Sequence, residues 1–425
     1  MIKIYDAKST PIEEILPREN ENTMEVESIV RDIISDVRKN GDNALFEYCR
    51  KFDKAELTTL KVTDEEINNA FSETDDSFIE TLKEAKANIE AFHSLQKRNN
   101  FVKNDKEGVI LGQKITPIEK AGLYVPGGTA SYPSSVLMNA IPAKIAGVSK
   151  IVMVTPPNKD GKIASPILAA AKIAGVDEIY KLGGSQAIAA LAYGTESVPK
   201  VDKIVGPGNI FVATAKKMVF GVVNIDMVAG PSEILVIADK SCNPRFVAAD
   251  LLSQAEHDKL ASSILITDSF ELAEKVQKEL EVQIPLLPRA EICRESIDNN
   301  GKIIVTKDLS EAVHISNMLA PEHLELCVEE PFGLLNSVKN AGSIFLGKNV
   351  PEALGDYFAG PNHTLPTMGT ARFSSPLSVD DFIKKSSFIY YTKDALEKDK
   401  NKVTDFAKRE GLDAHAKSIS IRFED

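Results

Sequence analysis

The sequence lacks the long apolar segments of a membrane protein. None of its apolar runs approaches the ~20 residues that a helix needs to cross a bilayer. The N-terminal stretch has no apolar core of signal-peptide length, and Glu13 and Glu14 follow it closely. We therefore predict a protein that does not associate with membranes and is located in the cytoplasm.

Positive charge is scarce as well. The chain has 50 Lys and Arg residues against 62 Asp and Glu residues, which gives a formal net charge of −12. Nucleic acids and anionic lipid surfaces both bind clustered Lys and Arg. The charge balance therefore argues against either partner.

Cysteine is rare and scattered. The four cysteines stand singly, without a C-x-x-C pair. This spacing indicates neither a disulfide framework nor a thiolate zinc site. We expect four reduced and mostly buried thiols, in agreement with a cytoplasmic protein.

Histidine is also rare, but its distribution follows a pattern. Four of the six histidines lie beside carboxylates or amides, at predicted loops or helix ends: His257, His323, His363 and His415. Imidazole and carboxylate together form a ligand set for zinc. They are also the usual acid/base pair near neutral pH. The pattern predicts a metal-dependent enzyme.

Hydrophobic periodicity divides the chain into a helical start and two α/β arrays. Residues 24–52 and 63–98 have apolar residues at spacings of three and four, which is typical of amphipathic helices. From about residue 118, β-branched runs alternate with Ala-rich runs. The predicted strands are Lys150–Val154, Glu178–Leu182, Lys203–Val205, Glu233–Ala238, Ser263–Thr267, Lys302–Thr306, His323–Val328 and Ser343–Leu346. The predicted helices are Ser134–Ala146, Ser165–Ala174, Ser185–Tyr193, Asn209–Phe220, 244–257, 269–282 and 309–319.

This alternation indicates βα units on mainly parallel sheets. Because the rhythm restarts near residue 233, we predict an α/β fold with two Rossmann-like parallel-sheet domains, N-terminal helices and a short helical C-terminal tail. The similar lengths of the arrays suggest a duplication, although no literal repeat is present. After about Val379 the chain is polar, with two helical stretches broken at Gly411 and too few apolar residues for a core. We expect this tail to dock on the rest of the chain or on a partner subunit.

Two pairs of polar residues at predicted helix and strand ends are candidates for a site. Gln254 and His257 are three residues apart in a helical sequence, so their side chains share one face. They could ligate a metal or form a polar helix end, and this segment alone favours the helix end. Glu322 and His323 lie where a helix meets a strand, which suits proton transfer. A surface acid beside a polar strand end is the alternative.

Two further pairs lie in a loop and in the tail. Asp356 and His363 belong to a segment with glycines on either side of the acid, and such loops hold polar groups in fixed directions. An Asx-turn would explain Asp356 but not the nearby histidine. Glu410 and His415 could be delivered into a cleft of a neighbouring subunit. A solvated helix is the alternative for this pair.

Glycine-rich turns after predicted strands are candidate coenzyme contacts. Leu182–Gln186 leads from a strand into a helix, where exposed amides and the helix dipole favour an anion such as a pyrophosphate. Gly206–Asn209 repeats this arrangement, and Gly122–Gly128 is a turn that presents Tyr124. Neither the full G-x-G-x-x-G fingerprint nor a P-loop is present. Dinucleotide binding is one interpretation, and routine turns of an α/β fold are the other.

Eight segments, taken together, resemble the histidinol dehydrogenase family. They are Gly122–Thr129, Leu182–Gln186, Val205–Asn209, Ala229–Glu233, Ser253–Asp258, Ala320–Glu325, Gly355–Thr367 and Glu410–His415. They cover nearly the whole chain in the order and spacing of the family. Eight co-linear segments are far more specific than any one of them.

The resemblance implies a role for each candidate residue. The implied zinc ligands, for one ion per subunit, are Gln254, His257, Asp356 and His415. The implied acid/base pair is Glu322 and His323. The implied substrate contacts are Ser232, Gln254, His257, His323, Asp356, Glu410 and His415. The implied NAD contacts are Tyr124, Gln186 and Asn209.

The resemblance also implies a reaction and an assembly. L-Histidinol would be oxidised through the aldehyde to L-histidine, in the final steps of histidine biosynthesis, with two NAD molecules reduced in turn. The subunits would form a homodimer with shared active sites.

The predicted domains follow from the same resemblance. They comprise an arm at 1–20, an NAD-binding Rossmann-like domain at 120–232 and a C-terminal helical tail at 376–425. Residues 21–119 would pack with 233–375 in a discontinuous domain that carries the metal and acid/base residues.

Three alternatives stay open. The nearest is a paralogous zinc- and NAD-dependent dehydrogenase that acts on another amino or sulfonated alcohol. A zinc hydrolase or lyase would use Glu322 to activate water without a coenzyme. A metal-binding protein built on two Rossmann-like lobes is the non-enzymatic alternative, and the acid/base pair counts against it.

Overall fold

Two runs of alternating strands and helices form two parallel sheets, as the hydrophobic pattern predicts. The computed structural model describes residues 1–15, 24–127 and 131–424. We call its two compact units the main unit (Met1–Gln96 and Ile118–Phe382) and the tail unit (Lys97–Pro117 and Ile383–Asp425). Residues 16–20 of the predicted arm lie outside the described residues, as do residues 128 and 129 of the first matching segment. In the described part of the chain, no helix is long and apolar enough to cross a membrane.

The elements have the following bounds. The strands are β1 Lys3–Asp6, β2 Phe101–Lys106, β3 Val109–Pro117, β4 Lys120–Tyr124, β5 Lys150–Thr155, β6 Glu178–Lys181, β7 Lys203–Val205, β8 Asn224–Ile225, β9 Glu233–Ala238, β10 Ser262–Thr267, β11 Lys302–Val305, β12 His323–Cys327, β13 Ser343–Leu346 and β14 Ile383–Tyr391. The helices are α1 Ile12–Ile15, α2 Met24–Asn40, α3 Asp42–Tyr48, α4 Asp64–Glu73, α5 Asp76–Ser94, α6 Pro133–Ala146, α7 Ser165–Ala174, α8 Gly184–Tyr193, α9 Ile210–Val219, α10 Pro244–Ala255, α11 Phe270–Gln283, α12 Ala290–Asn299, α13 Leu309–Leu319, α14 Pro331–Leu335, α15 Glu352–Tyr357, α16 Lys393–Arg409 and α17 Asp413–Ser420.

Both parallel sheets have a point where the strand order reverses. The first sheet has the order β6-β5-β4-β7-β8, so the chain builds outward from β4 and then returns to its other side with β7. The second sheet has the order β1-β11-β10-β9-β12-β13, with the same reversal between β9 and β12. Such switch points open a crevice in doubly wound folds. The predicted fold class of two Rossmann-like sheets is confirmed.

The N-terminal helices pack on the first array. In α2, Val30, Ile33, Ile34 and Val37 form one apolar stripe that joins the same core as α8 and α9. Helix α4 contacts α7, and helix α5 contacts α6. These contacts join the N-terminal helices to the first array, and the predicted association of residues 21–119 with 233–375 stays a prediction. Periodicity identifies the buried face of a helix but not the surface that covers it; the division of the main unit into two domains stays a prediction.

The tail unit contains an antiparallel sheet that the sequence pattern did not predict. Its strand order is β14-β3-β2, and β14 pairs with β3 along its full length. Most side chains of β2 and β14 are exposed, so neither strand has the one-sided hydrophobic alternation that identifies a strand in sequence. The two predicted helices of the tail are present as α16 and α17, and Gly411 between them has the left-handed φ of 74°.

A buried ion pair holds the turn after β7. The side chains of Lys216 and Asp226 are 1% and 2% exposed and contact each other directly. Lys216 Nζ also donates to the carbonyl of Gly206 at 2.8 Å, and Asp226 Oδ2 accepts from the Gly206 amide at 2.7 Å. Gly206 has a φ of 113°, and a Cβ at this position would lie 2.0 Å from the carbonyl oxygen of Tyr124. The pair therefore fixes a glycine that no other residue could replace without strain.

We predict that Lys216→Met lowers the free energy of unfolding by about 3–5 kcal/mol, because it leaves the Asp226 carboxylate buried without its cation. The double variant Lys216→Met/Asp226→Asn should lose less than the sum of the single losses, since each removes the same interaction. Urea denaturation measures both. In the exposed pair Lys275–Glu271, the control Lys275→Met should cost less than ~0.5 kcal/mol. Strict additivity of the buried pair would contradict the prediction.

Candidate active site

The candidate acid/base residues lie at the amino edge of the second sheet. Glu322 and His323 stand at the start of β12, beside Glu233 at the start of β9. Helix α10 brings Gln254, near its C-terminal end, to the same edge. Ligands of open parallel sheets usually bind at the carboxyl edge. That topological rule alone would have pointed to the wrong edge of this sheet.

His323 is buried and directed by a backbone carbonyl. Its Nδ1 lies 3.1 Å from the carbonyl oxygen of Glu233, so an N–H at Nδ1 donates there, and in the neutral ring Nε2 is the nitrogen that can accept a proton. Nε2 lies 3.5 Å from Asp356 Oδ1, at the outer limit of hydrogen bonding. Burial lowers the pKa of His323, but the carboxylates of Glu352, Glu322 and Asp356 outweigh burial and raise the pKa well above its usual value.

Glu322 is buried directly beside this imidazole. Its Oε2 accepts a hydrogen bond from the Glu233 amide at 2.9 Å and lies 3.7 Å from His323 Nδ1. Burial raises the pKa of Glu322 to about 8, although the neighbouring histidine lowers it in part. This carboxyl group can therefore exchange a proton near neutral pH.

Three side chains next to this pair form a group of possible metal ligands. One donor atom from each of His257, Glu352 and Asp356 lies within 4.8 Å of the others. Glu352 and Asp356 are one turn apart on α15, so their side chains share a face. Burial lowers the pKa of His257. Burial raises the pKa of Asp356, but His323 and the other histidines outweigh it and lower the pKa below its usual value. Neutral imidazole and ionised carboxylate are the forms that bind a divalent metal.

Gln254 is buried with its amide oxygen toward the Glu352 carboxylate. This atom lies 2.5 and 3.2 Å from the two carboxylate oxygens, while the amide nitrogen lies 2.9 Å from the Glu233 backbone nitrogen. Oxygen facing oxygen and N–H facing N–H repel each other. Turning the amide over would replace both contacts with hydrogen bonds. A cation bound between Gln254 and Glu352 would instead favour the present orientation.

The loop after α15 connects this site to the first array. His363 Nδ1 lies 2.9 Å from the carbonyl oxygen of Asp356, and its Nε2 lies 3.3 Å from Ser135 Oγ on α6. Asn362 Nδ2 donates to the carbonyl of Met138 at 2.6 Å. Helix α6 follows β4, the middle strand of the first sheet. The amino edge of the second sheet and the carboxyl edge of the first sheet therefore lie close together in the main unit.

The three predicted coenzyme contacts surround the switch point of the first sheet. Tyr124 ends β4, and its hydroxyl accepts a hydrogen bond from the Gly184 amide at 3.1 Å. A Cβ on Gly208 would lie 3.1 Å from the Tyr124 ring. Gln186 is buried, and its Oε1 has no hydrogen-bond partner among the described residues. Asn209 is exposed and caps α9 with its side-chain oxygen. The structure thus brings all three to one carboxyl edge.

The remaining predicted residues are in different places. Ser232 is half-buried directly before β9, next to the Glu233 amide that binds Glu322. Glu410 and His415 are exposed in the tail unit, at the end of α16 and within α17. His415 is therefore not part of the donor group found in the described residues of the main unit.

Sequence reasoning missed Glu352 and left His363 without a role. The E-x-x-x-D spacing from Glu352 to Asp356 places two carboxylates on one helical face and could have been noticed. The short helix α15 starts directly after Pro351 and follows no long apolar pattern, so the sequence suggested a loop instead.

Comparison with known proteins identifies the family of this chain. The family model described as histidinol dehydrogenase matches residues 16–423. The chain is 59% identical to histidinol dehydrogenase of Listeria monocytogenes, over 95% of this chain and 94% of the relative. It is 60% identical to that of Bacillus cereus, over 96% and 95%. A crystal structure of histidinol dehydrogenase from Elizabethkingia anophelis superimposes with a TM-score of 0.93 at 40% identity, covering 99% of this chain and 98% of that one. The chain belongs to the histidinol dehydrogenase family, whose members are oxidoreductases of histidine biosynthesis.

Proposed function

We propose that this chain is a zinc-dependent, NAD-linked dehydrogenase that oxidises L-histidinol through L-histidinaldehyde to L-histidine. The observation that carries the proposal is the buried Glu322–His323 pair, which faces the donor group of His257 and Asp356. A base directed at this donor group suits the removal of a proton from an alcohol held there. We further propose a cytoplasmic homodimer whose active sites each use both copies.

Gln254, His257 and Asp356 would hold the zinc ion, with His415 of a second copy as the fourth ligand. Two imidazoles and two oxygens suit a borderline divalent metal. The lowered pKa values of His257 and Asp356 keep these two groups in the forms that bind a cation. Zinc, when bound, supplies positive charge that orients the substrate nitrogens and stabilises negative charge on its oxygen.

Tyr124, Gln186 and Asn209 would contact NAD at the carboxyl edge of the first sheet. Glycines allow close approach to the backbone there: a Cβ on Gly183 or Gly127 would lie 2.6 Å from the ring of Pro156. The buried and unpartnered Gln186 Oε1 supplies an acceptor for a coenzyme hydroxyl or amide group. NAD, when bound, accepts the hydride in each half-reaction.

In the first half-reaction, His323 would remove the alcohol proton. In the neutral ring the Nδ1–H donates to the Glu233 carbonyl, so Nε2 accepts the hydroxyl proton while a hydride leaves the carbon that bears the hydroxyl. The product is the aldehyde. Ser232 and, from the second copy, Glu410 would contact the substrate and keep the aldehyde in place.

In the second half-reaction, Glu322 would activate water. Its ionised carboxylate takes a proton from water, the water oxygen bonds to the aldehyde carbon, and His323 returns its proton to the aldehyde oxygen to give the hydrate. His323 then accepts a hydroxyl proton of the hydrate while a second hydride leaves the carbon to NAD, which gives the carboxylic acid. The backbone amide of Glu233 stabilises the ionised form of Glu322.

The surface of the tail unit supports the homodimer. Large apolar side chains are exposed on both β14 and α16, among them Ile389 at 74% and Phe406 at 68%. Several large apolar side chains exposed in one unit are typical of a surface that another protein covers. His415 and Glu410 are exposed in the same unit, which suits residues that a second copy would receive.

Zinc-loaded protein is expected to form two NADH for each L-histidinol consumed, since the aldehyde is retained for the second oxidation. Chelation should abolish the reaction and added zinc should restore it. One NADH per substrate would contradict the role of Glu322. NADH formation with only another amino or sulfonated alcohol would identify a paralogue, and zinc binding without NAD binding would favour a hydrolase or lyase.

Glu322→Gln is expected to slow oxidation of added L-histidinaldehyde selectively, whereas His323→Asn should slow the alcohol step by ~10²–10⁴. In the wild type, Glu322 must be ionised to activate water. The kcat/KM for the aldehyde should therefore rise as the pH passes the pKa of Glu322, which is about 8. A zinc ion bound nearby would move this rise to a lower pH. Stopped-flow NADH absorbance measures both steps. Equal damage to both steps by Glu322→Gln, or an aldehyde rate that falls with rising pH, would contradict the assignment.

Two inactive variants should complement each other if the sites are shared. A heterodimer of His257→Ala and His415→Ala has one doubly defective site and one site in which both histidines are intact. Unfolding and refolding an equal mixture should therefore restore about one quarter of the wild-type activity. Each variant refolded alone is the control. Recovery no greater than in these controls would show that His415 acts within its own chain.

A further inference from the structure

A second layer of acidic residues lies directly behind the candidate metal site. Glu325 is 2% exposed and follows His323 by two residues on β12, so both side chains point to the same face of the sheet. Asp250 precedes Gln254 by one turn on α10, and Glu352 precedes Asp356 by one turn on α15. Each element therefore presents one residue to the site and one to this deeper layer.

Glu325 joins the other two elements of this layer. Its Oε1 accepts a hydrogen bond from the Glu352 backbone amide, the first amide of α15, at 2.8 Å. Its carboxyl group also hydrogen-bonds the carboxyl group of Asp250. Ser253 adds a link between the same helices, because its hydroxyl donates to the Asp250 carbonyl at 2.7 Å and lies 3.5 Å from Glu352 Oε2.

Two carboxyl groups in such contact retain one proton between them. Burial, followed by the Asp250 charge, raises the pKa of Glu325 well above its usual value. Burial also raises the pKa of Asp250, to about 6. The two carboxyl groups therefore share a proton across their contact, while Glu325 Oε1 accepts the Glu352 amide.

We propose that Glu325 is a positioning residue that bridges Asp250 on α10 and the first amide of α15, and so fixes the spacing of the metal ligands on both helices. The inference rests on the proposed zinc site and deepens it. Gln254 and His257 are supplied from α10 and the loop after it, and Asp356 from α15. If the bridge is lost, these helices can move apart, and zinc affinity should fall although no ligand has changed.

The test compares Glu325→Gln with Glu325→Met in the full chain. The glutamine can donate N–H to Asp250 and accept the Glu352 amide, whereas the methionine has a similar length but can do neither. We expect Glu325→Met to weaken zinc binding by ~10–100-fold, as is typical when a group behind the ligands is removed. Glu325→Gln should rescue most of this loss. Competition with a chromophoric chelator measures the zinc dissociation constant independently of turnover.

Ser263→Ala is the control for a loss of α10 packing that does not involve Glu325. It removes the buried Ser263 hydroxyl, which donates to the Leu251 carbonyl on α10 at 2.7 Å. It should lower the thermal midpoint without changing zinc affinity. If Glu325→Met does not fold, Asp250→Ala and Asp250→Asn provide the same comparison at the less buried partner.

Wild-type affinity in the methionine or alanine variant would overturn the proposal, as would equal losses in the amide and apolar variants. If the wild-type protein itself bound no zinc, the proposed function would fail, and this inference with it.

Discussion

Burial of several carboxyl groups around one imidazole is the constraint on which the rest of this site depends. Removing an ionised carboxylate from water costs several kcal/mol unless a partner compensates it. Burial raises the pKa of Glu322 to about 8 and that of Glu352 to about 7, whereas the histidines hold the pKa of Asp356 low. Carboxyl groups that lie close together in this site therefore have different pKa values. Environments that separate pKa values in this way assign acid, base and ligand roles.

The fold builds this group of acidic residues from three elements. Strand β12 and the helices α10 and α15 each present polar residues to the same region. Helix α6, which follows β4 of the first sheet, contacts His363 through Ser135. The candidate donor group and the carboxyl end of β4 therefore belong to one compact unit.

Local pattern predicted most strands and helices of both arrays, because alternation of β-branched and Ala-rich runs is a short-range signal. It missed helix α12 and the strands β1, β4 and β8, and it indicated a turn where Gly122 to Tyr124 belong to β4. It could not predict the packing of α2 on α8 and α9, since an apolar stripe does not identify its partner. Strand β14 was missed because its pairing with β3 joins residues far apart in sequence and buries few side chains. Glu325 was predicted only as part of a strand. Its importance depends on the approach of Asp250 and Glu352, which no local pattern records.

The edge strand β1 has a consequence for the timing of folding. Lys3 pairs with Lys302 in the second sheet. Strand β1 therefore cannot pair until the ribosome has added about 300 further residues. At a synthesis rate of ~5–20 residues per second, this delay is on the order of 15–60 s. During that time the apolar side chain of Ile2, which is 1% exposed in the finished protein, has no core to enter. The first sheet can form while the second is still incomplete, and the nascent chain must remain soluble throughout that interval.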